Sequence, residues 1–128
     1  GSLDINGNNR FVFEHPYYYI GLDLGDGPNV DVVCPGHLYD SGFLFDVTIS
    51  TECFEHDVYY ARTLQNMIKL TRPNGLVVFT CASTGRPEHG TLRSNPHDAP
   101  LLLNINEIEL LNVFKNELCI SFINEFSI

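Results

Sequence analysis

Residues 45–51, FDVTIST, and residues 76–82, LVVFTCA, are strand-like runs, and the segment between them decides the fold class. That segment contains DVYYARTLQNMIKLT at 57–71, in which apolar residues recur at helical spacing. Asp57 is a candidate N-cap, and Pro73-Asn74-Gly75 is typical of the turn that ends a helix. A strand, a helix and a second strand joined by short connections predict a parallel β–α–β unit.

The flanking sequence continues the alternation of strands and helices. Residues 17–24, YYYIGLDL, predict a buried strand that ends in a carboxylate and a Gly/Asp/Pro turn, and residues 30–34, VDVVC, predict a short second strand. Residues 105–117 predict a helix, and the tail CISFINEFSI at 119–128 predicts a final strand. We therefore expect one α/β domain over 1–128, with a mostly parallel sheet and flanking helices.

Composition and charge exclude several classes of partner. The chain has 128 residues, of which 44% are hydrophobic, and a formal net charge of −9. Since it lacks a basic surface, we expect binding to neither nucleic acid nor anionic membranes. Its four cysteines are widely spaced and form no C-x-x-C pair, which favours reduced thiols and a cytoplasmic location.

Polar residues follow each predicted strand. Asp23 ends the first of them, residues 35–37 follow the second, residues 52–57 follow the third, and residues 86–89 follow the fourth. In open α/β sheets, ligands bind beyond the carboxyl ends of the strands. The sequence therefore predicts a binding site built from these four segments.

The order of these segments resembles the class I S-adenosylmethionine-dependent methyltransferases. GSLDINGNNR at 1–10 resembles their first motif, in its G-S-x-x-x-N-G-x-x-R variant, and YYYIGLDLGDGPNVDVV at 17–33 resembles their second and third strands. FDVTISTECFEHD at 45–57 resembles the fourth strand and the following Glu-His segment. LTRPNGLVVFTCAS at 70–83 resembles the fifth strand with its preceding turn, and GRPEHG at 85–90 resembles a loop after that strand.

This resemblance implies a Rossmann-like fold and methyl transfer from S-adenosylmethionine to a small-molecule acceptor, such as a sugar. The Gly-rich first motif would hold the amino-acid part of the cofactor through its backbone. Asp23 would accept both ribose hydroxyls, as carboxylates do in dinucleotide folds. The residues implied in cofactor binding are Gly1, Ser2, Asn6, Gly7, Asp23, Leu24 and His37.

On the acceptor side the resemblance implies two groups of polar residues. His56 is the candidate general base, with Glu52 beside it, because methyl transfer to oxygen or nitrogen needs an acceptor relieved of its proton. The alternative is that Glu55-His56 only leads into the helix and packs beneath the loop. Arg86 and His89 are candidate substrate ligands, since a guanidinium suits anionic groups, although a solvated loop explains them as well.

Two alternatives remain open at the level of sequence. The first motif starts at Gly1, so the family's first strand is expected to be missing or incomplete; the chain would then be a truncated, non-catalytic domain or a homodimer that covers the gap. The second alternative is a metal-dependent hydrolase. Its candidate ligands are His56, Asp57, His89, His97 and Asp98, although no recognised zinc-site spacing occurs and no resident metal is expected.

Overall fold

A computed structural model describes residues 1–4, 7–13, 18–86 and 104–115. Within these ranges the strands are β1 (Leu22–Asp23), β2 (Val32–Val33), β3 (Phe45–Thr51) and β4 (Thr71–Thr80). The α-helices are α1 (Tyr60–Leu70) and α2 (Glu107–Lys115), and short 3-10 turns span Asn9–Val12, Gly36–Leu38 and Phe54–His56.

The described strands form two separate parallel pairs. β1 pairs with β2, with Leu22 opposite Val32, and β3 pairs with β4, with Thr51 opposite Thr80. Strands in parallel alternating with helices confirm the α/β class expected from the sequence.

Helices α1 and α2 cover the same face of the β3–β4 pair. α1 presents Leu64, which is fully buried, to a core that also contains Phe54, Ile105 and Val113. Val77 and Phe79 of β4 pack against this core. Phe79 contacts the tilted ring of Phe54 at a centroid distance of 5.4 Å and stacks with Phe114 at 6.1 Å, which joins the sheet to the turn after β3 and to α2.

β4 differs from the prediction at its beginning. It starts at Thr71, directly after α1, and includes the Pro73-Asn74-Gly75 segment that was expected as a separate turn. The ladder with β3 is irregular there, and Asn74 has a φ of 64°. The turn-forming residues 73–75 therefore produce a bulge within β4 instead of a separate turn.

The start of α1 also differs from the prediction. Tyr59, not Asp57, occupies the N-cap position. Asp57 still organises this turn, because its Oδ1 accepts a hydrogen bond from Tyr59 N–H at 2.7 Å and its Oδ2 accepts one from the Thr63 hydroxyl at 2.5 Å. The carboxylate therefore acts from two residues before the N-cap position.

β1 and β2 are shorter than their predicted runs of 17–24 and 30–34. Only the segments around Leu22–Asp23 and Val32–Val33 pair, and Asp31 lies just before β2 rather than within a long strand. The predicted final strand at 119–128 and most of the loop at 84–100 lie outside the described residues.

Candidate functional site

The candidate site centres on Asp23, at the carboxyl end of β1. Its Oδ2 accepts a hydrogen bond from Leu3 N–H at 3.1 Å, and its Oδ1 accepts one from Gly25 N–H at 3.1 Å. A carboxylate oxygen accepts two hydrogen bonds, so each oxygen retains capacity for a ligand hydroxyl. Two segments predicted to share a site, the first motif and the acidic strand end, are thus in direct contact.

Gly1 lies so close to Asp23 that no side chain fits between them. A Cβ built on Gly1 would lie 2.2 Å from Asp23 Oδ2, far inside van der Waals contact. On its other side, the Gly1 nitrogen lies 2.9 Å from Cys53 Sγ, just beyond the end of β3. Gly1 therefore occupies the space between the carboxyl ends of β1 and β3.

Asp4 organises the turn that follows. Its carboxylate accepts hydrogen bonds from Gly7 N–H at 2.9 Å and from the side-chain amides of Asn8 and Asn29, at 2.8 and 2.9 Å. Gly7 has a φ of 110°, which favours glycine. The described part of the first motif is thus held by an Asp–Asn network that leaves the Gly7 amide already engaged.

The Ser2 hydroxyl is engaged in a hydrogen bond within the fold. Its Oγ donates to the carbonyl of Asn29 at 2.8 Å, and its backbone N–H donates to the carbonyl of Leu22 at 2.8 Å. A Cβ on Gly21 would lie 2.1 Å from Ser2 Oγ and 2.3 Å from the Asn29 oxygen. This close packing fixes Ser2 against the start of β1.

Arg10 joins the turn to β2. Its guanidinium bonds to the carboxylate of Asp31 and lies over the Tyr19 ring, 4.3 Å from the centroid. Asp31 also accepts Gly21 N–H at 2.6 Å. Sequence reasoning assigned no role to Asp4, Arg10 or Asp31, because pairing between side chains distant in sequence has no local signal.

His37 and Leu24 lie on loops that follow β2 and β1. The His37 ring lies 4.6 Å, centroid to centroid, from Tyr59 at the start of α1. Leu24 is 74% exposed and follows Asp23 directly. Both positions are at the carboxyl end of their strand, where they were expected, and Leu24 presents apolar surface beside the acidic strand end.

Glu52 and Arg86 form an ion pair across the ends of β3 and β4. Arg86 Nη1 lies 2.5 Å from Glu52 Oε2, and both side chains are about half exposed. Glu52 has a φ of 48°, an uncommon conformation for a residue other than glycine. The structure thus brings together one predicted catalytic residue and one predicted substrate residue, and each neutralises the other.

Glu55 is the unexpected residue of this region. It is 4% exposed, and within the part of the chain that the structure describes, neither of its carboxylate oxygens has a hydrogen-bond partner. Ionised carboxylates are rarely buried without a partner because the loss of hydration is costly. The adjacent His56 is exposed at the end of the same 3-10 turn, as a residue that reacts with a ligand must be.

Cys81 lies between these carboxylates and the core. Burial raises the pKa of its thiol, and the negative charges of Glu55 and Glu52 raise it further. The thiol is therefore protonated at neutral pH and is a poor nucleophile. Nothing in this arrangement supports covalent catalysis by Cys81.

Asn6 and His89, two of the predicted site residues, lie outside the described residues, as do His97 and Asp98 of the metal alternative. Across the ranges that are described, no three His, Cys, Asp or Glu side chains are grouped so that they could hold a metal ion. None of the helices in those ranges has the length and apolar character needed to cross a bilayer.

Comparison of the chain with protein-family models, with curated proteins and with solved structures finds no match. The central feature of the candidate site is the contact of Gly1 and Leu3 with Asp23, flanked by the polar residues that follow β3 and β4.

Proposed function

We propose that the chain is a Rossmann-like domain that binds S-adenosylmethionine at the carboxyl ends of its strands and transfers the methyl group to a small-molecule acceptor. The observation that carries the proposal is the position of Gly1, held between the carboxylate of Asp23 and Cys53. Ligands of parallel α/β sheets bind at this edge.

The fit of the cofactor can be judged from the same contact. A Cβ on Gly1 would meet the carboxylate of Asp23. Position 1 therefore presents bare backbone beside Asp23. Asp23 keeps unused acceptor capacity for the two ribose hydroxyls beside that surface. These residues suit a ligand that carries a ribose and an amino-acid group.

The other proposed cofactor-site residues lie around Gly1 and Asp23, and their positions indicate different roles. Gly7 and Ser2 shape the turn, Leu24 offers apolar surface, and His37 lies beside Tyr59 on the loop after β2. We assign the adenine side to Leu24 and His37. Asn6 belongs to the same proposed cofactor site by its place in the motif.

The acceptor side would be formed by residues that follow β3 and β4. When bound, S-adenosylmethionine supplies an electrophilic methyl group. His56 is exposed and is proposed to take the acceptor's proton, while the Glu52–Arg86 pair orients the acceptor. His89 is proposed as a further acceptor ligand.

A reducing compartment suits this chain. Cys34, Cys53 and Cys81 are not engaged in disulfides and are partly exposed. Exposed thiols persist where glutathione and thioredoxin keep them reduced. We therefore place the proposed reaction in the cytoplasm.

Isothermal titration calorimetry with S-adenosylmethionine and with S-adenosylhomocysteine tests the proposal. We expect saturable binding of both, with one site per chain. Absence of heat with both ligands, from protein that is folded by circular dichroism, would reject the cofactor site.

A non-catalytic domain that folds by association is the second candidate, and the face of the β3–β4 pair opposite α1 and α2, which none of the described helices covers, favours it. Leu76 on that face is 57% exposed, and large apolar side chains are also exposed at Phe11 and Leu38. Exposed apolar side chains mark an association surface where they form one contiguous patch. Light scattering tests this candidate, since a homodimer has twice the 14.4 kDa mass of the chain.

A further inference from the structure

Asn74 and Gly75 belong to the bulge at the start of β4, where residues 72–75 lie opposite Asp46 alone. Asn74 has a φ of 64°, in the left-handed region that glycine and asparagine adopt more readily than other residues. The backbone of the bulge therefore favours one of these two residues at position 74.

Gly75 is held to glycine by close packing. A Cβ at this position would lie 2.6 Å from Thr71 Cγ2, 2.8 Å from the carbonyl oxygen of Asp46 and 2.9 Å from that of Arg72. Two of these three atoms belong to the backbone, which gives way less readily than the end of a flexible side chain. The packing of the strand pair thus requires glycine directly after Asn74.

The side chain of Asn74 is exposed and forms no hydrogen bond with any described residue. Asn112, in the same condition, lies within α2, where the helix holds the backbone on both sides. Six other described asparagines form side-chain hydrogen bonds: Asn8, Asn9, Asn29, Asn66, Asn104 and Asn106. Among the described asparagines outside a helix, the Asn74 side chain alone can turn toward the next backbone nitrogen without breaking a hydrogen bond.

An asparagine followed by glycine is prone to an intramolecular reaction of its side-chain amide. The next backbone nitrogen loses its proton and attacks Cγ, the C–N bond of the side-chain amide breaks, and ammonia leaves with formation of a cyclic succinimide. A side chain on the following residue hinders this attack, and glycine has none. Water then opens the succinimide at either carbonyl, which yields aspartate or isoaspartate.

We propose that Asn74 is a site of spontaneous deamidation in the folded protein, through a succinimide that includes the nitrogen of Gly75. The fold keeps this reactive pair in place, because the positive φ favours asparagine or glycine at the first position and the packing requires glycine at the second. The reaction consumes water, releases ammonia and adds one negative charge, which changes the formal net charge from −9 to −10.

The place of Asn74 in the sheet determines what the modification alters. Isoaspartate carries the main chain through its side-chain carbons and so lengthens the backbone by one atom. The bulge already holds more residues than its partner strand and can take up this atom, while the regular pairing from Leu76 to Thr80 lies beyond it. We therefore expect the modified chain to keep its fold and its proposed cofactor edge, which lies at the other end of β4.

Peptide mapping of the folded protein, after prolonged incubation at mildly alkaline pH, tests the proposal. Asn29 is the matched control within the chain, because its φ of 66° is close to that of Asn74. Its side chain bonds to Asp4, and the residue that follows it is Val30. Mass spectrometry with electron-transfer fragmentation distinguishes aspartate from isoaspartate at each position. It also separates Asn74 from Asn6 of the other Asn-Gly pair, which lies outside the described residues.

We expect Asn74 to convert at least about tenfold faster than Asn29, with isoaspartate among the products. Asn74→Gly, which suits the positive φ and has no side-chain amide, is expected to fold and to form no acidic product at position 74. If this variant does not fold, the comparison within the wild type decides. Equal rates at the two asparagines would overturn the proposal, as would conversion of Asn74 only in protein that circular dichroism shows to be unfolded. Aspartate without isoaspartate would also overturn it, since direct hydrolysis would then replace the succinimide.

Discussion

Gly1 lies against the carboxylate of Asp23, so close that a Cβ at position 1 would lie 2.2 Å from Oδ2. This contact joins two segments that are 22 positions apart in the sequence and places both at the carboxyl end of β1. The contact explains why glycine stands at position 1, because the backbone there, without a side chain, packs against the acidic end of the strand.

Gly21→Ala is expected to destabilise the fold. The added methyl group would lie 2.1 Å from Ser2 Oγ and 2.3 Å from the backbone oxygen of Asn29, so the first motif must move. We expect a loss of about 1–3 kcal/mol in the free energy of unfolding, measured by urea titration. Gly25→Ala is the matched control, because the nearest atom there is 4.0 Å away. Equal stability of the two variants would show that this contact is absent.

Arg10→Ala is expected to loosen the turn. It removes the ion pair with Asp31 and the contact with the Tyr19 ring, at a cost of about 1 kcal/mol because both charged side chains are partly exposed. Arg10→Lys keeps the charge but loses the planar guanidinium, so its thermal midpoint should lie between those of the wild type and Arg10→Ala. A Lys variant less stable than the Ala variant would contradict this assignment.

Glu55→Gln is expected to stabilise the protein. The substitution keeps the shape of a buried side chain whose two oxygens have no hydrogen-bond partner among the described residues, and it replaces a carboxylate, whose burial costs more hydration than that of an amide. We expect the free energy of unfolding at pH 7 to rise by about 1 kcal/mol or more. For Glu52→Gln, which loses an exposed ion pair, we expect a decrease of less than about 1 kcal/mol. A clear loss of stability in Glu55→Gln would mean that the carboxylate has an essential partner.

Cys81 is expected to be less reactive than Cys53. Because burial and the charges of Glu55 and Glu52 raise the pKa of the Cys81 thiol, little thiolate forms near neutral pH. Iodoacetamide at pH 7.5, followed by peptide mass spectrometry, should label Cys53 before Cys81. Faster labelling of Cys81 would contradict the raised pKa.

The raised pKa of Cys81 also predicts how stability changes with pH. The folded state holds the thiol proton more tightly than the unfolded state does. This contribution is fully present below the ordinary thiol pKa of about 8.5 and is lost as the pH rises above it toward the pKa of the folded state. Cys81→Ala should therefore show a smaller decline in unfolding free energy above that pH. Parallel declines in the two proteins would rule out this linkage.

Local patterns predicted the central elements of the fold. β3 was predicted at 45–51 and is observed there, and α1 lies within the predicted helical segment. β3 is a continuous strand-like run, and the helical segment has apolar residues at helical spacing. β1 and β2 were predicted too long, because apolar runs do not show where a pairing partner ends. The turn predicted at 73–75 is a bulge in β4, because turn-forming residues do not show whether the chain on both sides of them pairs with the same strand.

The contacts among the candidate site residues could be predicted only in part. Motif order identified Asp23 and Gly1, and the structure places them in contact. The roles of Asp4, Arg10 and Asp31 depend on pairings across the turn that no local pattern reveals. The burial of Glu55 was not expected, since glutamate is among the residues least often buried. The pairing of Glu52 with Arg86 likewise depends on the register of β3 and β4.

The most direct test of the account is calorimetry of S-adenosylhomocysteine binding to the wild type, to Asp23→Ala and to Asp26→Ala, a control at an exposed neighbour. We predict that the wild type and Asp26→Ala bind alike. Asp23→Ala should bind more weakly by about 1–3 kcal/mol, roughly 5- to 150-fold in Kd, through loss of charge-assisted hydrogen bonds. Unchanged affinity in Asp23→Ala, or no binding to the folded wild type, would contradict a cofactor site at the end of β1.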